Sequence, residues 1–235
     1  MIFNKKKLLF CALDTKNLSS AVSLTNIIKD HIDGIKIGLE AYYSIGIEGY
    51  RELADIGIPI FLDLKLHDIP NTVHSAIKAL LPLKPAILNI HASGGEKMMR
   101  SAVEAISDSF DHKPLLIGVT VLTSLDSKDL IKLGINSDSN EHAVRLAELA
   151  KNSGLDGVVC SPFEAANIKE ICGNNFITIV PGIRPEGSAI NDQKRFMTPY
   201  QAINNGADII IIGRPITSSK DPLKAVMAIR EDMNV

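Results

Sequence analysis

The sequence is poor in the side chains that proteins use to hold nucleic acids. Tryptophan is absent, aromatic residues make up 5% of the chain, and the formal net charge is -2. Bases are bound by stacking on aromatic rings, and a phosphate backbone is bound by an excess of lysine and arginine. We therefore expect no nucleic-acid partner.

Cysteine is also scarce, and its spacing argues against two further classes of protein. Cys11, Cys160 and Cys172 are odd in number and far apart, with no C-x-x-C pair and no Cys/His cluster at zinc spacing. A zinc centre or a disulfide scaffold needs such patterns. The cysteines are typical of reduced thiols in a cytoplasmic protein.

From the sequence we expect neither a secretion signal nor a membrane-spanning segment. The first residues, MIFNKKKLLFCALD, start basic, but their apolar run is short and ends at Asp14. A signal peptide or a spanning helix needs a longer run. We expect no membrane partner, and we interpret Lys5 to Lys7 as a solvated lead-in to a first strand.

What the sequence does contain is an alternation of short apolar runs and amphipathic segments. With 46% hydrophobic residues and no linker, the composition predicts one domain over residues 1–235. Helix candidates such as LSSAVSLTNIIKDH and SAIKALL separate the strands, with Ser19 or Ser20, Asn71 and Asn140 as N-caps. The eight predicted strands are 8–13, 34–38, 59–64, 86–91, 115–120, 157–160, 176–180 and 208–212.

Eight strands that each lead into a helix predict an α/β fold of the closed (β/α)₈ type, the TIM barrel. An open doubly wound sheet is the alternative. That fold usually carries a G-x-G-x-x-G turn after its first strand. Here the turn reads ALDTKN and has no glycine, so we favour the barrel.

Polar residues are dense where the predicted strands end, which is where such barrels hold their active sites. Asp63 and Lys65 are two residues apart, so on a strand they face the same side and can form an ion pair. Neighbouring strands would bring Asp14 and Lys36 alongside. A catalytic charge array and a structural salt bridge both fit this pattern.

Other polar residues have competing interpretations too. Asp68 precedes a helix and could cap it, with Pro70 in the first turn. We expect His67 and His91 to be hydrogen-bonded structural residues rather than metal ligands. The strand ends also carry Asn89, Thr120, Thr123 and Ser124.

The last quarter of the chain has the features of a phosphate site. The loop VPGIRPEGSAINDQ, residues 180–193, includes Arg184, and IIGRPIT follows at 211–217. Loops after strands seven and eight of such barrels often bind phosphate through backbone N–H groups and a cation. We expect a phosphorylated substrate and a lid at about 181–195, although a plain surface loop is the alternative.

Together these stretches resemble the bacterial type of the orotidine 5'-phosphate decarboxylase family over almost the whole chain. The motifs that carry the resemblance are ALD (12–14), KIG (36–38), DLKLHDIPNT (63–72), HASGG (91–95), VLTS (121–124), PGIR (181–184), DQKR (192–195) and GRPIT (213–217). DLKLHDIPNT is the most specific of them.

The resemblance implies decarboxylation of orotidine 5'-phosphate to UMP in pyrimidine synthesis, with no metal or organic cofactor. It implies a catalytic set of Lys65, Asp63, Asp68 and Lys36. It further implies a homodimer in which Asp68, Ile69 and Thr72 reach across the interface. The substrate contacts that it implies are Asp14, Lys36, Asp63, Leu64, Lys65, Leu66, His67, Asp68, Ile69, Pro70, Asn71, Thr72, Thr123, Ser124, Pro181, Arg184, Gln193, Gly213 and Arg214.

Two other functions are open to the same sequence. One is a metal-dependent sugar-phosphate decarboxylase or aldolase of the same superfamily, for which we expect a metal-binding glutamate on strand two. Lys36 stands there, and an ammonium group has no lone pair for a metal. The other is a non-catalytic sensor of phosphorylated ligands, which would not need paired charges on strand three.

Overall fold

The eight predicted strands all form, and they close into a parallel barrel. The computed structural model of the chain describes residues 7–109, 112–185 and 197–233. β1 pairs with both β2 and β8, which confirms the (β/α)₈ barrel and excludes the open sheet. The strands are β1 (Leu8–Ala12), β2 (Gly34–Gly38), β3 (Ile60–Leu66), β4 (Ile87–His91), β5 (Leu115–Val119), β6 (Gly157–Val159), β7 (Ile177–Pro181) and β8 (Ile209–Ile212).

Side chains along each strand alternate between the inside of the barrel and the surrounding helices, as the two-residue period requires. The residues that point outward, such as Leu9, Cys11 and Ile35, pack in one cluster with the side chains of the helices. Since both faces are buried, the strands are continuous apolar runs in the sequence. The inner cluster consists of Leu8, Phe10, Ala12, Phe61, Ile87, Ile117, Ile179, Ile209 and Ile211.

Two glycines make room for the packing of the barrel. A Cβ on Gly34 would lie 2.5 Å from the ring of Phe10, and one on Gly157 would lie 2.2 Å from the carbonyl oxygen of Ile177. Both distances are far below van der Waals contact. A larger residue would push the Phe10 ring out of its place or force β6 and β7 apart.

The helices cover the outside of the barrel. Among the described residues, none of them combines the length and the apolar character that a membrane span requires. They are α1 (Leu18–Ile28), α2 (Leu39–Ala54), α3 (Pro70–Leu80), α4 (Gly95–Ser107), α5 (Ser127–Lys132), α6 (Ser139–Asn152), α7 (Ala165–Cys172), α8 (Pro199–Asn204), α9 (Arg214–Thr217) and α10 (Pro222–Asp232).

The predicted N-caps were wrong by a few residues each. Asn17, not Ser19 or Ser20, caps α1 by accepting the N–H of Ser20. Asp138 caps α6 in place of Asn140. These corrections share a cause: the capping side chain must precede the first helical residue by one position, and sequence alone leaves that first residue uncertain.

Helix α3 starts earlier than its periodic stretch SAIKALL indicated. It begins at Pro70, whose fixed φ suits the first position of a helix, so Asn71 lies inside it and is not its cap. The N-cap is Ile69, which makes no side-chain capping bond.

Three aspartates tie the strands together at the amino end of the barrel, opposite the polar strand ends. Asp33, Asp156 and Asp208 directly precede β2, β6 and β8. Each accepts a backbone N–H of the strand before it, at 2.8, 2.7 and 2.9 Å respectively. This end of the barrel therefore serves stability and leaves the carboxyl end for the site.

Candidate active site

A cavity of about 330 Å³ opens at the carboxyl ends of the strands. Its size falls in the range of pockets for small ligands. Apolar walls from Phe61, Val119, Val159 and Ile179 surround its charged groups. The predicted site residues that line it are Asp14, Lys36, Asp63, Lys65, Thr123, Pro181, Arg184, Gly213 and Arg214.

Asp63 and Lys65 form the predicted ion pair inside this cavity. The ammonium Nζ of Lys65 lies 2.7 Å from Oδ1 of Asp63. Asp63 is buried, with 7% of its surface exposed. A buried ion pair of this kind is stabilising only when its carboxylate has further hydrogen-bond partners.

The main chain around Lys65 departs from a regular strand. Lys65 has φ of 51°, in the left-handed region that non-glycine residues avoid. The pairing of β3 with β4 shifts register between Leu62 and Leu66, so the strand is irregular where its charges lie. This conformation costs about 1–2 kcal/mol and persists only where the surroundings impose it.

Asn89 on β4 lies beside this irregular segment and is almost fully buried. Its side-chain oxygen accepts the backbone N–H of Lys65 at 2.8 Å. Its Nδ2 donates to Oδ1 of Asp63 at 2.7 Å. One amide therefore contacts both members of the ion pair.

Lys36 extends the array to a second aspartate. Its Nζ lies 3.4 Å from Oδ2 of Asp63 and 3.0 Å from Oδ1 of Asp14. The order of charges is then Asp14, Lys36, Asp63, Lys65, with signs alternating along it. Each buried charge has an opposite neighbour, which offsets the cost of removing it from water.

The surroundings of Asp63 keep it ionised. Burial by itself raises the pKa of this carboxyl. The positive charges of Lys36 and Lys65, with the hydrogen bonds from Lys65 and Asn89, outweigh burial and hold the pKa below its ordinary value. Asp63 is therefore a carboxylate at neutral pH.

Several predicted substrate contacts lie outside the cavity of this chain. Leu64 and Leu66 pack against the helix-side cluster. Ser124 follows the lining residue Thr123 and is exposed. The remaining residues of the DLKLHDIPNT motif form a surface strip, mostly exposed, of His67, Asp68, Ile69, Pro70, Asn71 and Thr72.

Capping of helix α3 was the alternative to a catalytic role for Asp68, and Asp68 is not the N-cap of that helix. Its Oδ1 accepts the N–H of Ile69 at 2.7 Å, and Ile69 precedes the first residue of the helix. The carboxylate is exposed, so it is accessible from outside the chain.

Two arginines that follow the last two strands also line the cavity. Arg184 follows β7 and is buried, whereas Arg214 is exposed at the start of α9, next to Gly213. The N–H of Arg184 donates to the carbonyl of Met197 at 3.1 Å, which places the two ends of the intervening segment side by side. Gln193 and most of the predicted lid belong to residues 186–196 and lie outside the described residues.

The nucleophilic and metal-binding side chains nearby do not form a separate centre. Cys160 lines the cavity, but burial raises the pKa of its thiol well above the ordinary value. The rings of His67 and His91 lie with their centroids 5.2 Å apart and their planes tilted by 35°. In the described part of the chain, no group of three His, Cys, Asp or Glu side chains is placed to hold a metal ion.

Sequence reasoning missed Asn89 as a member of the site. It stood among the polar strand ends but was given no function. The signal was present in the strand itself, because an amide inside ILNIH must find partners when both faces of the strand are buried.

A barrel that gathers alternating lysines and aspartates in a cavity at the carboxyl ends of its strands has the features of an enzyme. Proteins of similar sequence include several that are named orotidine 5'-phosphate decarboxylase. The orotidine 5'-phosphate decarboxylase of Gluconobacter oxydans is 45% identical over 233 residues, 98% of either chain. The one from Erythrobacter litoralis is 47% identical over 216 residues, 92% of this chain and 94% of its own.

A solved structure agrees with these relatives. The crystal structure of orotidine 5'-phosphate decarboxylase from Lactobacillus acidophilus superposes with a TM-score of 0.84 at 37% identity, covering 97% of this chain and all (100%) of its own. The model of the orotidine 5'-phosphate decarboxylase / HUMPS family matches residues 7–229. The chain belongs to this family, as its motifs predicted, and is an enzyme of the decarboxylase class.

Proposed function

We propose that the protein converts orotidine 5'-phosphate to UMP and carbon dioxide, without a metal or organic cofactor, as a cytoplasmic enzyme of pyrimidine synthesis. The observation that carries the proposal is the array of Asp14, Lys36, Asp63 and Lys65. Its contacts supply what this reaction demands, which is a fixed positive charge and a proton at one place.

The chemistry explains the demand. When the bond between C6 and the carboxylate breaks, carbon dioxide leaves and the electron pair remains in an in-plane orbital of C6. The pyrimidine ring delocalises that pair poorly, so a preorganised cation must stabilise it. Lys65 fits both roles: its ammonium stabilises the carbanion and then donates a proton to C6, and solvent returns a proton to the amine.

Asp63 and Lys36 hold the cation ready. With Oδ1 of Asp63 at 2.7 Å, the Lys65 ammonium is oriented before substrate arrives. Lys36 balances the second carboxylate oxygen, so Asp63 stays ionised and in place. Fixed dipoles and charges of this kind act without reorganisation during the reaction.

Different residues of the cavity suit different parts of the substrate. Asp14 and Thr123 suit the ribose hydroxyls and the pyrimidine edge, because both offer hydrogen-bonding oxygens. Arg184, Arg214 and the backbone of Gly213 suit the phosphate, and we propose Gln193 as a further phosphate contact. The base then lies over Lys65 and the phosphate between β7 and β8.

A homodimer would complete this site. The surface strip His67 to Thr72 carries an exposed carboxylate and an exposed isoleucine, Ile69, with 67% of its surface accessible. If the interface of a two-fold dimer includes this strip, each chain presents the same residues to its partner. We propose that Asp68, Ile69 and Thr72 serve the partner's cavity.

Mixing two inactive variants tests the shared site. Lys65→Ala and Asp68→Ala chains should each turn over poorly, yet a hybrid dimer regains one site that has both residues. Random exchange makes about half of the dimers hybrids with one intact site in two, so activity should recover to about a quarter of wild type.

The control for this mixture is the double variant. Lys65→Ala combined with Lys65→Ala/Asp68→Ala should stay inactive, because every site then lacks Lys65. If subunits exchange, as shown by mass-tagged chains, but the first mixture recovers nothing, the shared site is refuted.

An assay with orotidine 5'-phosphate, with and without a chelator, tests the function itself. We expect UMP to form at the same rate in both. Loss of activity on adding the chelator would favour a metal-dependent sugar-phosphate decarboxylase or aldolase. Lys36 on β2 argues against that function, because an ammonium group cannot bind a metal. Tight binding of nucleotide with no turnover would favour a sensor.

A further inference from the structure

We propose that Asn89 is a positioning residue that holds Lys65 in its left-handed conformation and aligns Asp63 with the Lys65 ammonium. This inference rests on the proposed function for its kinetic consequence, but its geometry stands apart from any substrate. It arises from one side chain that contacts both members of the ion pair.

The first contact fixes the main chain. Lys65 has φ of 51°, and its N–H donates to Oδ1 of Asn89 at 2.8 Å. The pairing of β3 with β4 is interrupted between Leu62 and Leu66, so this amide does not follow a regular ladder. The side chain of Asn89 supplies the acceptor that a regular strand would have supplied from its backbone.

The second contact fixes the carboxylate. Nδ2 of Asn89 donates to Oδ1 of Asp63 at 2.7 Å, and the same oxygen accepts from Nζ of Lys65 at 2.7 Å. A carboxylate held by two donors on one oxygen cannot rotate freely. The direction in which Lys65 presents its ammonium to the cavity is therefore set from β4.

The position of Asn89 suits a positioning role rather than direct contact with a ligand. It is 1% exposed and does not line the cavity. It lies on the same face of β4 as Ile87, which belongs to the inner cluster of the barrel. An asparagine suits the position because it offers an acceptor and a donor on one planar group, whereas an ionised aspartate offers acceptors alone.

Two variants separate the two contacts. Asn89→Ala removes both, and we expect kcat to fall about 10- to 100-fold, the effect of a lost hydrogen bond to a charged group. Binding of UMP should change less than about threefold, because the phosphate end is untouched and ground-state contacts remain.

Asn89→Asp keeps the acceptor for the Lys65 N–H and replaces the donor with a second carboxylate against Asp63. Repulsion between the two carboxylates disfavours ionising both, so one proton is retained to higher pH. The charged groups facing them are Lys36 from β2 and Lys65 from β3, with His91 further along β4. While that proton is bound, the introduced group can donate to Asp63 as asparagine does.

The pH profile of this variant is therefore diagnostic. Its kcat relative to wild type should be highest in acid and should fall as the pH rises and the shared proton is lost. A residue that only supported the fold would lower kcat by a constant factor at every pH.

A matched control comes from the next strand end. Thr120, just after β5, is also buried, and its hydroxyl donates to the carbonyl of Val159 without contacting the charges. Thr120→Val should cost similar stability with kcat near that of wild type. If Asn89→Ala does not fold, Asn89→Ser, whose hydroxyl is too short to reach both partners, should give the same loss.

A titration without substrate distinguishes this proposal from the function. In ¹³C-labelled protein, the Asp63 carboxyl should titrate at higher pH in Asn89→Ala than in wild type. If wild type does not decarboxylate orotidine 5'-phosphate, the proposed function fails while this titration still tests Asn89. The inference would be overturned if Asp63 titrated at the same pH in Asn89→Ala as in wild type and kcat were unchanged in both Asn89 variants.

Discussion

Replacing Lys65 with alanine should abolish decarboxylation of orotidine 5'-phosphate and leave a folded protein. Loss of a proton donor alone lowers a rate about 10²–10⁴-fold, and here the cation that stabilises the carbanion is lost as well. The fold should persist because Asp63 keeps Lys36 and Asn89 as partners. Single-turnover rates with saturating enzyme measure the effect on the chemical step.

The chain supplies a matched control for the backbone. Lys84 has the same φ as Lys65, 51°, but it is exposed and does not line the cavity. Lys84→Ala therefore repeats the change of a left-handed lysine to alanine away from the charges, and it should keep wild-type turnover. Near-normal turnover by Lys65→Ala would refute the role of Lys65.

The position of the charge array could be predicted because it depends on local spacing and on strand order. Asp63 and Lys65 are two residues apart on one strand, and parallel neighbours bring their carboxyl ends to one edge. Asp14 then follows from strand one and Lys36 from strand two. No long-range detail was needed to place these four side chains together.

The conformation of the array could not be predicted in the same way. The register shift in β3 and the positive φ of Lys65 arise from pairing with β4 and from the Asn89 side chain, which is 24 residues away. The predicted helix starts were wrong for a related reason. Whether Asn17 or Ser19 caps α1 depends on where the chain leaves the barrel, and propensity alone does not specify that.

The other large effect concerns the phosphate end, far from the bond that breaks. Orotidine without its phosphate should react with a much lower kcat/KM, and added phosphite should restore part of the rate. A dianion that contacts Arg214 and the N–H of Gly213 contributes binding energy that can be used to close the site and fix the charges around Lys65. The phosphate would then lower the barrier as well as tighten binding.

Arg214→Ala tests which side chain provides this energy. A charge-assisted contact contributes about 1.5–3 kcal/mol, or about 10- to 150-fold in affinity, and the variant should lose that much of its response to phosphite. Arg145→Ala is the control, because Arg145 is an exposed arginine of α6 that pairs with Glu141 and does not line the cavity. It should respond to phosphite as wild type does.

The two measurements answer different questions. Equal activation of wild type and Arg214→Ala would assign the phosphate contact to another group, with buried Arg184 as the next to replace. Absence of activation in wild type would mean that phosphate binding and the chemistry at Lys65 are independent. In that case the charges of the Asp63 array must be fully positioned before substrate binds, and Asn89, rather than closure over the phosphate, would account for their order.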